Sequence, residues 1–359
     1  MVPDSAVDGG LADSLLREVA RATRADECPP PDSPEHSVPR LLVDLLGDDG
    51  SWSPSMDPWR DLLRWRGLRG ERLVLRSWDH DVGRAALRWP SLLKESGLGP
   101  AERPALIFAF RRRDVDEDRL ARLDALFVSI HWWWGVLDRI DTETHLVLQR
   151  RRGHFDLLTL AIVVEVAAWD LRFADHLVRH WDGRLDTLEK TVRDHGAVRA
   201  AEGLNVVGDM GSVRENRRCS RSRQPTRDES ELWDAGMVDK WDSVTRPAQW
   251  LPKTVENLDN LVWRAQNRVL MPHVDRVRAH LEKKFRARAS RGFLDEIVEQ
   301  DDILELGPMR WAAVHRGVAL DREDRHCLEA LWKLRNLLAH GRPAGDEVVA
   351  VAKPYLGLS

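Results

Sequence analysis

Near the end of the chain the stretch RNLLAHGRP, Arg335 to Pro343, sets an arginine and a histidine five positions apart. Asn336 and His340 are four apart and share a helix face, while Arg335 stands about 100° round from Asn336 on a long side chain. At the rim of a helix these three polar groups can converge on one small ligand. His340 would lie at the C-terminal end, where the macrodipole favours a cation. An imidazole, an arginine fork for a phosphate and an orienting amide make a compact phosphodiester-cleaving set. The set needs no metal or other cofactor, because the 2′-hydroxyl of RNA is an internal nucleophile and the protein need only move protons and stabilise charge. The structural alternative is that Arg335 pairs with a surface carboxylate and His340 is a helix-end cation.

The elements that must hold these groups are helical. DREDRHCLEALWKLRNLLAHG opens on Asp321 as N-cap, closes on Gly341 at C′, and carries Leu331, Leu334, Leu337 and Leu338 as its apolar stripe. Upstream, Val255, Leu258, Leu261, Val262, Ala265 and Val269 recur at helical steps, and Val274, Val277 and Leu281 resume the pattern after Pro272, which is expected to start or kink a helix. LDEIVEQDDILELGPMRWAAVHRG predicts one or two shorter helices broken at Gly307-Pro308, and Asp346 can cap a last one. Residues 251–359 therefore predict an antiparallel helical bundle.

In that setting Arg-Asn-x-x-Ala-His resembles the HEPN family, whose signature is an arginine and a histidine separated by about four to six residues. LVWRAQNRVLMPHVDRVRAHL, ILELGPMRWAAV and LWKLRNLLAHGRP are similar to the helix order of HEPN domains attached to bacterial defence proteins, over roughly 250–355. The resemblance implies a metal-independent endoribonuclease that leaves 2′,3′-cyclic phosphate ends, works as a homodimer with two motifs facing one cleft, and serves in a toxin or antiphage setting beside an antitoxin or defence-system partner. It makes His340 the proton-transfer residue, Arg335 the phosphate-binding group and Asn336 the residue that orients them; Arg342, two residues beyond His340, is a further candidate for contacting RNA. A symmetric dimer would supply both a base and an acid from one motif per chain. The alternative from another class is a non-catalytic HEPN-like module that dimerises and scaffolds RNA or partner proteins.

The rest of the chain bounds this reading. Its 359 residues are 43% hydrophobic and 32% charged with a net charge of −4, which allows a sizeable core and excludes a histone-like polycation. Cys28, Cys219 and Cys327 form no disulfide framework and no CxxC site. The longest apolar run, LLTLAIVVEVAAW, is shorter than the ~20 residues of a bilayer span and carries Glu165. With no basic or apolar leader at MVPDSAVDGG, a cytoplasmic setting is expected and no membrane. The fold expected is α+β, multidomain and predominantly helical. Residues 1–40, with ECPPPDSPEHSVPR, form a disordered arm. A small α/β domain fills 41–190, with ERLVLRSW and PALIFAF as strands. A flexible basic linker over 191–250 leads to the bundle.

Other clusters carry weaker chemistry. Arg214, Arg217, Arg218, Arg221, Arg223 and Arg227 would lie along RNA or form a solvated linker. His176 and His180 at i, i+4 suit a shared metal only if a third ligand joins them, and a solvated helix face is the simpler reading. Glu165 is either an acid in a cleft or the partner of a buried arginine, and the second is preferred. Trp132, Trp133 and Trp134 read as packing rather than as a base-stacking platform. No GxxxxGK[ST] and no GxGxxG after a strand occur, so the α/β domain is expected to sense or dock rather than hydrolyse a nucleotide.

Overall fold

A computed structural model describes residues 1–3, 11–28, 37–48, 50–76, 80–120, 122–123, 126–148, 156–202, 224–252, 254, 257–290, 294 and 303–358. The protein is α+β and predominantly helical, with a small sheet. It divides into two compact units, Met1–Val136 with Ser220–Asp239, and Leu137–Cys219 with Lys240–Ser359. Among the described residues no helix is long and apolar enough to cross a membrane.

The first unit is built on α1 (Leu11–Thr23), β1 (Asp26–Cys28), α2 (Val38–Leu46), α3 (Pro58–Arg64), β2 (Arg72–Arg76), α4 (His80–Glu95), β3 (Ala105–Ala109) and the short α5 (Glu117–Leu120). The strands are parallel in the order β1-β2-β3, with Leu73 opposite both Asp26 and Leu106. Parallel pairing requires crossovers, and helices supply them. Central β2 reads RLVLR because both of its faces are covered. Leu73 and Leu75 pack with Leu42, Leu62 and Trp89 on one side, and Val74 packs with Leu16 and Ala20 of α1 on the other.

The expected arm over 1–40 is thus corrected. LADSLLREVARAT is an amphipathic helix on the sheet and Asp26–Cys28 is an edge strand; the proline run 29–34 lies outside the described residues. The expected linker over 191–250 is also corrected where it is described. Residues 227–234 form α10 (Arg227–Asp234), opened by a capping box between Thr226 and Glu229. A two-stranded sheet, β4 (Val238–Trp241) and β5 (Val244–Pro247), follows, and its turn residues Asp242 and Ser243 both have positive φ, as a tight hairpin turn requires. Trp233 of α10 packs against Trp132 and Trp134 with ring centroids 5.8 and 6.3 Å away, so the tryptophan run is engaged in packing.

The second unit begins well before 251. It contains α6 (Arg139–Leu148), α7 (Leu157–Ala167), α8 (Leu171–His180) and α9 (Leu185–Ala201), then α11 (Leu258–Arg288), α12 (Leu306–His315), α13 (Arg322–Ala339) and α14 (Asp346–Leu356). The apolar run LLTLAIVVEVAAW is helical from Leu157 to Ala167 as α7, with Asp156 as N-cap accepting from Thr159 N–H at 2.8 Å. A helix apolar on all sides must be buried, and α7 packs along α11. Pro272 does not break α11; it lies on an exposed stretch, where water can satisfy the carbonyl left without its N–H. Gly307 and Pro308 fall in the first turn of α12, a position that tolerates proline, so the break comes before them.

Helix directions depart from simple alternation. Lys284 meets Asp324 and Trp263 meets Leu338, so α11 and α13 are antiparallel. Gln266 meets Ala344 and His273 meets Leu356, so α14 runs the same way as α11. The shared core includes Leu270, Val274, Leu281, Leu331, Leu334, Leu338 and Leu356.

Candidate functional site

The candidate site is the C-terminal turn of α13. Asp321 caps the other end of this helix, accepting from Asp324 N–H at 2.7 Å as the sequence predicts. Leu331, Leu334 and Leu338 are buried, which turns Arg335 and Asn336 to the half-buried flank and leaves His340 exposed. The helix ends in a Schellman arrangement. Gly341 N–H donates to Leu338 O at 3.2 Å, Arg342 N–H donates to Leu337 O at 3.0 Å, and Gly341 has φ +71°, the left-handed conformation that glycine adopts without strain. His340 is therefore the C-cap residue, with its N–H on Asn336 O at 3.1 Å.

The loop that follows is pinned from α11. Gln266, 1% exposed, donates from Nε2 to Ala344 O at 2.8 Å and accepts from Ala344 N–H at 2.7 Å. Trp263 Nε1–H donates to Leu338 O at 2.6 Å. Two buried backbone groups thus depend on one side chain. Gln266→Ala is expected to destabilise the unit by about 2–3 kcal/mol, and to speed amide exchange at Ala344, because it leaves the buried Ala344 N–H and C=O unpaired. Exchange at the Ala344 amide equal to that of the unsubstituted protein would contradict this role.

The three motif residues are not joined into one cluster by hydrogen bonds. Arg335 Nη2 bonds Glu305 Oε2 at 3.1 Å, with side-chain exposures of 37% and 48%. Glu305 is the N-cap residue of α12. Among the described residues the His340 ring and the Asn336 carboxamide have no hydrogen-bond partner, and Arg342 is exposed beside them. The arrangement offers an exposed imidazole and a half-buried amide one turn apart, with a guanidinium whose partner is an exposed carboxylate that a phosphate can displace. Sequence reasoning missed Glu305, Trp263 and Gln266. Only Gln266 left a signal, as an amide inside the apolar stripe of Val262, Ala265 and Val269.

The other candidates resolve differently. Arg214, Arg217, Arg218, Arg221 and Arg223 lie outside the described residues, and Arg227 opens α10. Glu165, 1% exposed, is held by three arginines: Arg139 at 2.5 Å, Arg246 at 3.3 Å and Arg268 at 3.4 Å. The preferred reading of Glu165 as a partner of buried arginine is what the geometry shows. His176 and His180 are in ring contact, but only His180 is exposed; His176 packs on buried His195, which corrects the solvated-face reading. Among the described residues no group of three or more His, Cys, Asp or Glu could hold a metal ion. No protein-family model matches the chain, and no curated protein or solved structure matches it.

Proposed function

We propose that the chain is a metal-independent endoribonuclease of HEPN type, acting at Arg335, Asn336 and His340. The observation that carries this reading is the end of α13. Among the described residues an exposed imidazole and a half-buried carboxamide one turn apart have no hydrogen-bond partner, beside an arginine on an exposed carboxylate, and the turn is fixed by a Schellman cap and the Gln266 clamp. In the reaction, His340 accepts the proton of the RNA 2′-hydroxyl as its oxygen attacks phosphorus. Arg335 moves from Glu305 to the phosphate and neutralises the charge that builds there. The 5′-oxygen leaves with a proton from the imidazole of a second copy, so a homodimer completes the acid–base pair, and the product end is a 2′,3′-cyclic phosphate.

An exposed ion pair contributes about 0–1 kcal/mol, so Glu305 is a weak competitor for the arginine. Arg342 and the arginines Arg217, Arg218 and Arg221 supply backbone charge contacts for RNA. In this reading the helical unit cuts RNA in a bacterial toxin or antiphage setting in the cytoplasm, under control of the sheet-containing unit, with an antitoxin or defence-system protein as partner.

A second reading has one observation in its favour. The Arg335–Glu305 pair gives the arginine a structural task between α13 and α12, as a non-catalytic module that dimerises and scaffolds partners would use it. Growth under induced expression separates the two. Inhibition by the unsubstituted chain that His340→Ala abolishes, with dimerisation unchanged, supports the nuclease; equal effects of both chains favour the scaffold.

A further inference from the structure

Between α8 and α9 the helical unit holds three imidazoles in contact. His176 and His180 of α8 have ring centroids 4.6 Å apart, and His176 lies 4.7 Å from His195 of α9. His195 is 5% exposed, yet among the described residues neither Nδ1 nor Nε2 has a hydrogen-bond partner. A buried imidazole ordinarily donates at one nitrogen and accepts at the other. Here rings surround it instead, with Phe173 stacked at 4.8 Å and Trp250 edge-on at 6.1 Å.

The packing has no slack. A Cβ at Gly196 would meet Trp250 O at 2.5 Å, so α9 lies directly on that backbone. Trp250 Nε1–H donates to Asp170 Oδ2 at 2.9 Å, and Asp170 Oδ1 accepts from Phe173 N–H at 2.9 Å as the N-cap of α8. Asp170 thereby ties the start of α8 to Trp250. The charged groups facing His195 are Asp170, His176, Arg199 and Arg172, and both arginines pair with Glu202. His176 in turn faces His180, Asp194 and Arg179.

We propose that α8, α9 and the Trp250 segment form an acid-sensitive latch, opened when His195 takes a proton from solvent. The imidazolium needs an acceptor, and the carboxylate that faces it, Asp170, already holds Phe173 N–H and Trp250 Nε1–H. Among the described residues neither ring nitrogen of His195 reaches an acceptor in the closed packing, so the new charge is solvated only when α8, α9 or the Trp250 segment moves.

Burial pushes the His195 ring down from its ordinary value to about 4. Burial, then the charge of His180, lowers His176 as well. A histidine lowered in the closed state contributes stability that is intact above about pH 6.5 and is lost as pH falls from there through about 4. At pH 5 the open form accepts a proton that the closed form refuses, which favours opening about 30-fold over pH 7.5.

Hydrogen–deuterium exchange of the full chain at pH 7.5 and pH 5.0, corrected for intrinsic rates, tests the latch. The expected result is an about 30-fold loss of protection over 171–201 relative to 322–339, with most of it absent in His195→Phe. Equal protection ratios at both pH values, or the same loss in His195→Phe, overturn the proposal. A ring titration of His195 by NMR in the unsubstituted protein needs no variant. A midpoint well below 6.5 supports the latch, and one at or above 6.5 overturns it.

Discussion

Glu165→Gln is expected to destabilise the helical unit by about 3–5 kcal/mol, as a lowered urea midpoint with loss of protection in α7 and α11. The carboxylate is buried in α7 and binds arginines from three other elements. Arg139 opens α6 and also reaches Asp242 at 2.9 Å; Arg246 is on β5; Arg268 is on α11. Arg246 Nη2 donates to Glu165 O at 3.2 Å as well, so this arginine is fixed to the backbone of α7. Removing the one negative charge at the centre leaves three guanidinium groups converging on a neutral amide, and Arg246 is 3% exposed, so water cannot compensate there. An unchanged midpoint would show that the arginines repartner at no cost. The prediction also separates structure from chemistry, because every oxygen of Glu165 is engaged by arginine and none is open to a substrate.

His340→Ala is expected to do the reverse: RNA cleavage falls by about 10²–10⁴-fold while stability changes by less than about 0.5 kcal/mol. His340 is exposed, its ring has no hydrogen-bond partner among the described residues, and its cap geometry is backbone geometry, which alanine retains. Arg335→Ala loses only an exposed pair with Glu305, about 0–1 kcal/mol, and is expected to abolish cleavage because in this reading its guanidinium neutralises the charge that builds on the phosphate. A catalytic pair thus shows large losses of activity against small losses of stability. A scaffold role shows neither.

The site's helix was legible because its signals are local. Asp321, the leucine stripe and Gly341 each occupy the position that capping and burial demand, so α13 and its end follow from eighteen or so residues read alone. Strands β2 and β3 were legible for the same reason, as short apolar runs between turn signals. What surrounds them was not. α7 has an apolar run too uniform for periodicity to distinguish strand from helix, and only its packing on α11 decides. The chain excursion through α10 and the β4–β5 hairpin was hidden by the arginine-rich composition just before it, although Thr226 and Glu229 spelled a capping box. Glu305 and Trp263 reach α13 from 30 and 75 residues away, and no local pattern reports such partners.

The most direct measurement of the central claim is incubation of total RNA in excess EDTA with the unsubstituted chain beside Arg335→Ala and His340→Ala, with analysis of product ends. Cleavage by the unsubstituted chain alone, leaving 2′,3′-cyclic phosphate ends, is the result this account predicts. Cleavage that persists in both variants, or products with 3′-hydroxyl ends, would contradict it.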